Sequence, residues 1–569
     1  MAATCSGDAL GIAAASSAAA PGDELAEALG LTRTVASILV DRGLGDPERA
    51  KAFLEPRLAD LTAPDGMVDR AAMADRLAAA VRQRERVCVF GDYDCDGITS
   101  TAILTGVLRR LGLEVAALLG SRFDGGYGVT AAAADRIAAS GASLVITCDC
   151  GSSDHAVLEQ VGRGGRDVMV IDHHLVPEEP LPALAFINPH RPDCGFPYKG
   201  LASCGLVLSV AAALRAQLGA GLDLRDELDL VAIGTIADVA PLDGDNRALV
   251  RAGLERLRQG RRPGIRALAE LAKMGPECPV TGEDVAFRLA PRLNAPGRLG
   301  APDLALETLL CGSIDRARGL AAQLEQCQVE RRRQQDTMVV QALEDIDANG
   351  WRERPAVVVG RPGWNHGIVG IVAGRLAEQL GRPVAAVGFD DAGVGRGSVR
   401  GPRGSRLFDA LSTVTDLLDR FGGHQAAAGF EVRLERLAPL RERFEAACAD
   451  PSSPSDIESD LRLYELDPAD NPARVVADLE RVEPCGEANP TPCIAVTADL
   501  VAARQVRGGH LKLELELVSG HRIGGFGVGM GDRAKALAGR VRVAGRLRRD
   551  RWRGGDAVEV GVERIEAAR

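Results

Sequence analysis

Three aspartates at alternate positions, Asp92, Asp94 and Asp96, stand directly after a short apolar run that contains Val87, Val89 and Phe90. Gly91 breaks the run, Gly97 opens a turn, and residues 98–111 read as a helix. A strand that hands over to a helix through three carboxylates places them at the carboxyl edge of an α/β sheet, where ligands bind. Carboxylates that close repel one another unless a cation sits among them, and hard divalent ions such as Mg2+ or Mn2+ suit oxygen donors. A calcium loop shares the D-x-D-x-D-G start, but its twelfth position requires Glu and is Ile103 here. Three more apolar runs, 144–147, 168–171 and 230–236, end in similar chemistry. Asp149 follows the first, Asp172, His173 and His174 the second, and Asp238 the third. The chain has only 8 histidines, and two of them are adjacent here. If these runs are strands of one parallel sheet, their ends share an edge and residues distant in sequence converge. Oxygen donors with one or two imidazoles fit a pair of Mn2+ or Mg2+ ions better than zinc, and paired ions serve in-line displacement at phosphorus. Any one of these residues alone is equally an ordinary polar residue beyond a strand; their coincidence at four ends favours the metal centre.

The elements around these residues are those such a centre needs. At 569 residues the chain exceeds what one core supports, and 46% hydrophobic with 26% charged residues describes a soluble multidomain protein. No apolar run reaches membrane-spanning length, and the Ala- and Ser-rich start lacks the basic-then-apolar order of a secretory signal. The 13 scattered cysteines, without a CxxC pair, imply reduced thiols and a cytoplasmic setting. Cys148 and Cys150, either side of Asp149, read as small packing residues. Residues 1–22 read as a disordered tail, 23–86 as a helical lead-in, and 87–319 as one domain whose strand–loop–helix repeats, from Val87 to about Leu249, make an open parallel sheet. Residues 320–348 contain neither Gly nor Pro, enough for one helix of about 43 Å, so 320–350 is a connecting helix. A smaller α/β domain spans 351–449, DPSSPSDIES at 450–459 is a linker, and short alternating strands over 460–569 suggest a small barrel. Net charge is −11, which argues against nonspecific coating of nucleic acid; yet residues 500–569 carry 15 Lys and Arg against 8 Asp and Glu, a net +7 that leaves −18 for the rest. Trp552 amid Arg546, Arg548, Arg549, Arg551 and Arg553 fits a platform on which a single strand stacks.

The motifs DYDCDG, TCDCG, IDHH and GTIADVAPL, in that order, resemble the DHH phosphoesterase superfamily. The long form with two later domains is similar to its RecJ family of bacterial single-strand-specific 5′→3′ exonucleases. FRLAPRLNAPGRLGAP, GGHQAAAGF, PCGEANPTP and GRLRRDRWRGG extend the resemblance over most of the chain from about Leu31. It implies an α/β fold: a parallel-sheet DHH catalytic domain, a long connecting helix, a smaller α/β DHH-associated domain and a C-terminal OB-like β-barrel. It also implies two Mn2+ or Mg2+ ions on Asp92, Asp94, Asp96, Asp149, His173 and Asp238, with Asp149 bridging and His174 beside the scissile phosphate. Arg122 and Tyr127 would meet the DNA end, and Arg292, Asn294 and Arg298 would face the strand. Ser398, Arg400, Gly423 and His424 match the phosphate-binding motifs of the second domain. At Trp364-Asn365-His366-Gly367 the chain departs from the family, its histidine displaced by one position. The expected reaction is metal-dependent 5′→3′ hydrolysis of single-stranded DNA to 5′-mononucleotides, in DNA repair and recombination. Expected partners are the strand itself and a single-strand-binding protein or a helicase, with no membrane. A phosphodiesterase of short oligonucleotides or cyclic dinucleotides, and a catalytically silent replication scaffold, are the alternatives. The first is usually more compact, and the second would have lost metal carboxylates.

Overall fold

The computed structural model describes residues 19–275, 280–449, 462–550 and 552–568. Most of the expected N-terminal tail, the linker at 450–459 and Arg551 lie outside them. The chain divides into two compact units: residues 62–240 with 244–458, and residues up to 61 with 241–243 and 459 onward.

Three short helices, α1 (Ala19–Leu29), α2 (Arg33–Asp41) and α3 (Pro47–Leu54), open the chain and belong to the second of these units. Asp46 caps α3 by accepting the Arg49 N–H at 2.9 Å, and Pro47 fills the first turn, where its missing N–H is not needed. α2 turns Val35, Ile38 and Leu39 inward, and these share one apolar core with Val475 of the helix Pro472–Val482 and with Ile494, Leu513 and Val543 of the C-terminal barrel. The Thr32 N–H donates to Asp478 at 2.8 Å, and the Tyr464 hydroxyl donates to Asp41 at 2.8 Å. Deleting residues 1–61 is therefore expected to uncover the barrel core. Limited proteolysis should then digest residues 462–568, which the full chain protects; a barrel that stays resistant would make the helices dispensable.

In the other unit, α4 (Arg70–Gln83) precedes a five-stranded sheet. Strands β1 (Arg86–Gly91), β2 (Glu114–Leu119), β3 (Leu144–Cys148), β4 (Asp167–Ile171) and β5 (Ala185–Ile187) are parallel, in the order β2-β1-β3-β4-β5. Helices α5 (Cys95–Arg110), α6 (Ala131–Ala139), α7 (His155–Gly162), α8 (Ser203–Leu218) and α9 (Leu228–Ala237) accompany it. The run 230–236, expected as a strand, is instead part of α9. Leu228 through Thr235 are all buried, so no polar face marks a helical period. A short continuous apolar run carries no information on whether it is strand or helix. A 35-residue helix, Ile314–Ala348, then leads to the second sheet. Its strands β6 (Val357–Pro362), β7 (Val384–Phe389), β8 (Val394–Arg400), β9 (Leu418–His424) and β10 (Ala427–Arg433) run in the order β6-β7-β8-β10-β9, and only β6 and β7 are parallel.

The barrel comprises β12 (Cys493–Val506), β13 (His510–Leu517), β14 (Arg522–Gly527), β15 (Arg540–Arg549) and β16 (Val558–Ala567), with β11 (Leu463–Glu465) alongside β12. β12 pairs with both β13 and β15, which closes the five strands. In the β15–β16 turn, Asp550 accepts the Trp552 and Arg553 N–H groups at 3.0 and 3.2 Å, and the Trp552 side chain is left 96% exposed. Arg548, Arg549 and Arg553 pair with Glu559, Glu480 and Glu514. The Arg549–Glu480 and Arg553–Glu514 pairs are exposed and therefore weak, so another anion could displace these carboxylates. Trp552→Ala is expected to weaken oligo(dT) binding by roughly 1 kcal/mol, about fivefold, the lower end of one base-stacking contact. Fluorescence anisotropy reads this; unchanged affinity at unchanged melting temperature would remove the indole from the DNA path. No described helix is long and apolar enough to cross a membrane.

Candidate active site

The parallel ladder continues one residue past each strand and so fixes where each carboxylate begins. Asp92 N–H donates to Cys148 O at 3.2 Å, Asp149 N–H to Ile171 O at 2.9 Å, and Asp172 N–H to Ile187 O at 3.0 Å. Asp94 caps α5, its Oδ1 accepting the Asp96 and Gly97 N–H groups at 3.0 and 3.1 Å. Gly97 is required there, because a Cβ would lie 2.4 Å from Asp92 O. Asp149 has φ 64, a left-handed conformation that aspartate tolerates better than most residues. Asp238 arrives at the end of α9 rather than from a strand, and Gly234 permits the approach: a Cβ there would lie 2.9 Å from Asp96 Oδ1.

These residues converge. His173 Nε2 lies 3.3 Å from Asp149 Oδ1, 3.6 Å from Asp238 Oδ2 and 3.9 Å from Asp96 Oδ2. Donor atoms form three groups, each within 4.8 Å: Asp92, Asp94 and Asp149; Asp96, His173 and Asp238; Asp149, His173 and His174. Asp149 belongs to two of them. Asp172, also at a strand end, does something else: its Oδ1 accepts the His173 and His174 N–H groups and lies 2.8 Å from His174 Nδ1, while Oδ2 accepts Ser152 N–H. The Tyr127 hydroxyl is also 2.8 Å from His174 Nδ1 and donates to Asp149 O at 3.1 Å.

The electrostatics follow from burial of several carboxylates against one another, which outweighs the nearby Arg122 and His174. Asp92, Asp96 and Asp149 are 2%, 1% and 1% exposed. Burial, reinforced by neighbouring carboxylates, pushes the Asp92 and Asp149 carboxyls well up, and Asp238 up to about 8. Burial likewise lowers His173. Burial works against the Asp172 charge too, but the His174 hydrogen bond and charge hold it at about 2. Asp92 Oδ1 and His173 Nε2 are buried with no hydrogen-bond partner. Orphaned donor atoms in a nest of oxygen and imidazole ligands fit divalent cations.

A second constellation lies in the same unit. The Arg122 guanidinium stacks 4.1 Å over the ring of Tyr93, between Asp92 and Asp94 in sequence. Arg298 donates to Gly367 O at 3.1 Å, and Arg400 to Ser398 Oγ and Val399 O at 2.8 and 2.7 Å. Among the described residues no carboxylate pairs with Arg122, Arg298, Arg331 or Arg400. Burial first, then Arg122 and Arg331, push Arg298 down to about 9; burial and Arg122 lower Arg400. Guanidiniums that are buried or half-buried and repel one another would favour an anion among them. Arg331 comes from the long helix, where the sequence shows it only as one of three consecutive arginines, Arg331-Arg332-Arg333. Arg292 is engaged elsewhere, in an ion pair with Glu325 of that helix at 2.5 Å, and Asn294 is half-buried beside it in sequence. Gly423, at φ 133, has no room for a side chain: a Cβ would lie 2.5 Å from Ala427 O. The His424 side chain lies outside the described residues. Asn365 donates to Gln334 at 3.0 Å, a brace to the long helix, and the His366 ring packs on Phe123 with centroids 4.5 Å apart.

Residues 86–235 match the DHH family, N-terminal domain; residues 354–450 match the DHHA1 domain; residues 464–564 match the RecJ OB domain. The chain is 38% identical to the single-stranded-DNA-specific exonuclease RecJ of Dickeya dadantii, over 78% of this chain and 80% of that protein. The chain belongs to the RecJ family. The RecJ of Bacillus subtilis is 37% identical over 83% of this chain, which spans 59% of that longer relative. The crystal structure of Thermus thermophilus RecJ in complex with Mn2+ superimposes with a TM-score of 0.80 at 32% identity, covering 97% of this chain and 78% of that one. The same relative has been solved with Mg2+. The RecJ resemblance thus extends through all three matched domains, and the donor groups described above could hold such ions.

Proposed function

We propose that the chain is a divalent-metal-dependent exonuclease that hydrolyses single-stranded DNA from its 5′ end and releases 5′-mononucleotides. The observation that carries this reading is Asp149, shared by two donor groups with orphaned atoms among them. Mn2+ or Mg2+ ions, when held by Asp92, Asp94, Asp96, Asp149, His173 and Asp238, supply the charge that activates water and steadies in-line displacement at phosphorus. The chain's own residues do the rest. His174, oriented by Asp172, is placed beside the scissile phosphate. Arg122, Ser398 and Arg400 grip the 5′-phosphate, a compact dianion suited to guanidinium forks. Arg298 and Asn294 meet the following nucleotides, and the barrel with Trp552 binds the strand by stacking and charge. The names of the relatives support the substrate class. Cys88, Cys95, Cys148, Cys150 and Cys204 are buried free thiols, in keeping with a cytoplasmic role in DNA repair and recombination, where a helicase or a single-strand-binding protein would present the strand.

The test is hydrolysis of 5′- and 3′-labelled single-stranded and duplex DNA, with product length followed over time. Mononucleotides should leave the 5′ end of single strands only. Chelator should abolish the reaction, and either Mn2+ or Mg2+ should restore it. Cleavage that persists in chelator would exclude the metal reading, and a preference for the shortest oligonucleotides would favour a phosphodiesterase of short substrates.

A further inference from the structure

The Ser203 side chain is fully buried, and its hydroxyl donates to Asp149 Oδ1 at 3.0 Å. In the same turn, the Ser203 N–H donates to Asp96 Oδ2 at 2.7 Å and the Cys204 N–H to Asp96 Oδ1 at 2.9 Å. Ser203 is the first residue of α8, and the cap position before it is Ala202, which offers no capping side chain. A serine at a helix start usually turns its oxygen back onto the helix's own free amides. Here those amides are taken by Asp96, and the hydroxyl points away from the helix to the carboxylate shared by two donor groups. α5 meets the same cluster at its first turn through Asp94 and Asp96. Two helix N-termini, each carrying partial positive charge, therefore face the buried carboxylates.

We propose that Ser203 is a positioning residue of the metal centre: its hydroxyl holds Asp149 in the orientation in which that carboxylate serves both donor groups, and so raises the affinity for the divalent ions. The inference rests on the metal reading above. A carboxylate oxygen has two acceptor positions, so one hydroxyl on Oδ1 leaves the second, and both on Oδ2, available to ions. The restraint matters because Asp149 stands at the end of a strand, with no other described side chain hydrogen-bonded to its carboxylate. The Asp96 carboxylate, in contrast, is held by two amides that no side-chain substitution removes.

The experiment titrates Mn2+ alone into the full chain by calorimetry and records the low-temperature electron paramagnetic resonance spectrum of the loaded sample. Ser203→Ala and Ser203→Gly remove the hydroxyl and keep both amides; Ser203→Thr keeps all three donors. Loss of a group that orients a metal ligand typically weakens binding about ten- to hundred-fold. Ser203→Ala and Ser203→Gly should show that loss and a weakened signature of a coupled Mn2+ pair, with chelated melting temperatures unchanged and with Ser203→Thr restoring affinity. An affinity within about fivefold of wild type in both hydroxyl-free variants, below the range expected for such a group, would overturn the role of Ser203 and leave the metal centre standing. Wild type that binds no Mn2+ would overturn the metal reading itself, and this inference with it.

Discussion

Asp149→Asn is expected to lower the hydrolysis rate at least a thousand-fold while leaving single-strand binding within a few-fold of wild type. The carboxylate is shared between donor groups, so its loss removes a ligand from both rather than from one. Metal charge at a displacement on phosphorus is worth several kcal/mol, and about 4 kcal/mol corresponds to roughly a thousand-fold in rate. Asparagine is the informative replacement. It keeps the size and tolerates the left-handed backbone at φ 64, whereas alanine adds conformational strain to the chemical change. In chelator the variant should melt no lower than wild type, because burial among Asp96, Asp94 and Asp238 already disfavours the Asp149 charge. Binding survives because the arginine cluster does not depend on that carboxylate. Rapid-quench hydrolysis, anisotropy and a chelated melt separate the three statements. A variant that cleaves at the wild-type rate would end the two-metal reading.

Arg400→Ala is expected to slow degradation of 5′-phosphorylated strands about ten- to hundred-fold, and of 5′-hydroxyl strands much less. The guanidinium is already aimed, held by Ser398 Oγ and Val399 O, and burial together with Arg122 makes its charge uncomfortable until an anion arrives. A charge-assisted hydrogen bond lost from such a site costs about 1.5–3 kcal/mol, which sets the fold-change. A fixed distance from this pocket to the carboxylates would place the first internucleotide linkage over them. Release of one 5′-mononucleotide leaves a new 5′-phosphate on the remaining strand, so the cycle repeats. Equal slowing of both substrates would mean that Arg400 grips internal phosphates instead. Digestion of a strand blocked at its 5′ end and free at its 3′ end would reverse the polarity altogether.

Asp92, Asp94, Asp96, Asp149, His173 and His174 were legible in the sequence because each sits within a few residues of an apolar strand. Strand direction and the edge of a parallel sheet are local consequences of that pattern. Asp238 was legible as a residue but not by its element. Its apolar run is buried all round in α9, and burial on every side erases the period that distinguishes helix from strand. β12 hides its strand period for a related reason: its 14 residues cross a register shift between Leu500 and Ala502, which breaks the alternation. What tertiary structure alone decided is which distant groups meet. The stripe of Val35, Ile38 and Leu39 announces a buried face, yet nothing local says that its cover lies in a barrel over 400 residues later. The resemblance marks Arg298 and Arg400, but only the fold sets them with Arg331 and without carboxylates, and only the fold shows that Glu325 claims Arg292. Ser203 carries no signal at all in its own neighbourhood. A single hydroxyl acquires its role from the carboxylate that packing brings to 3.0 Å, and that distance is a property of the folded chain rather than of any segment.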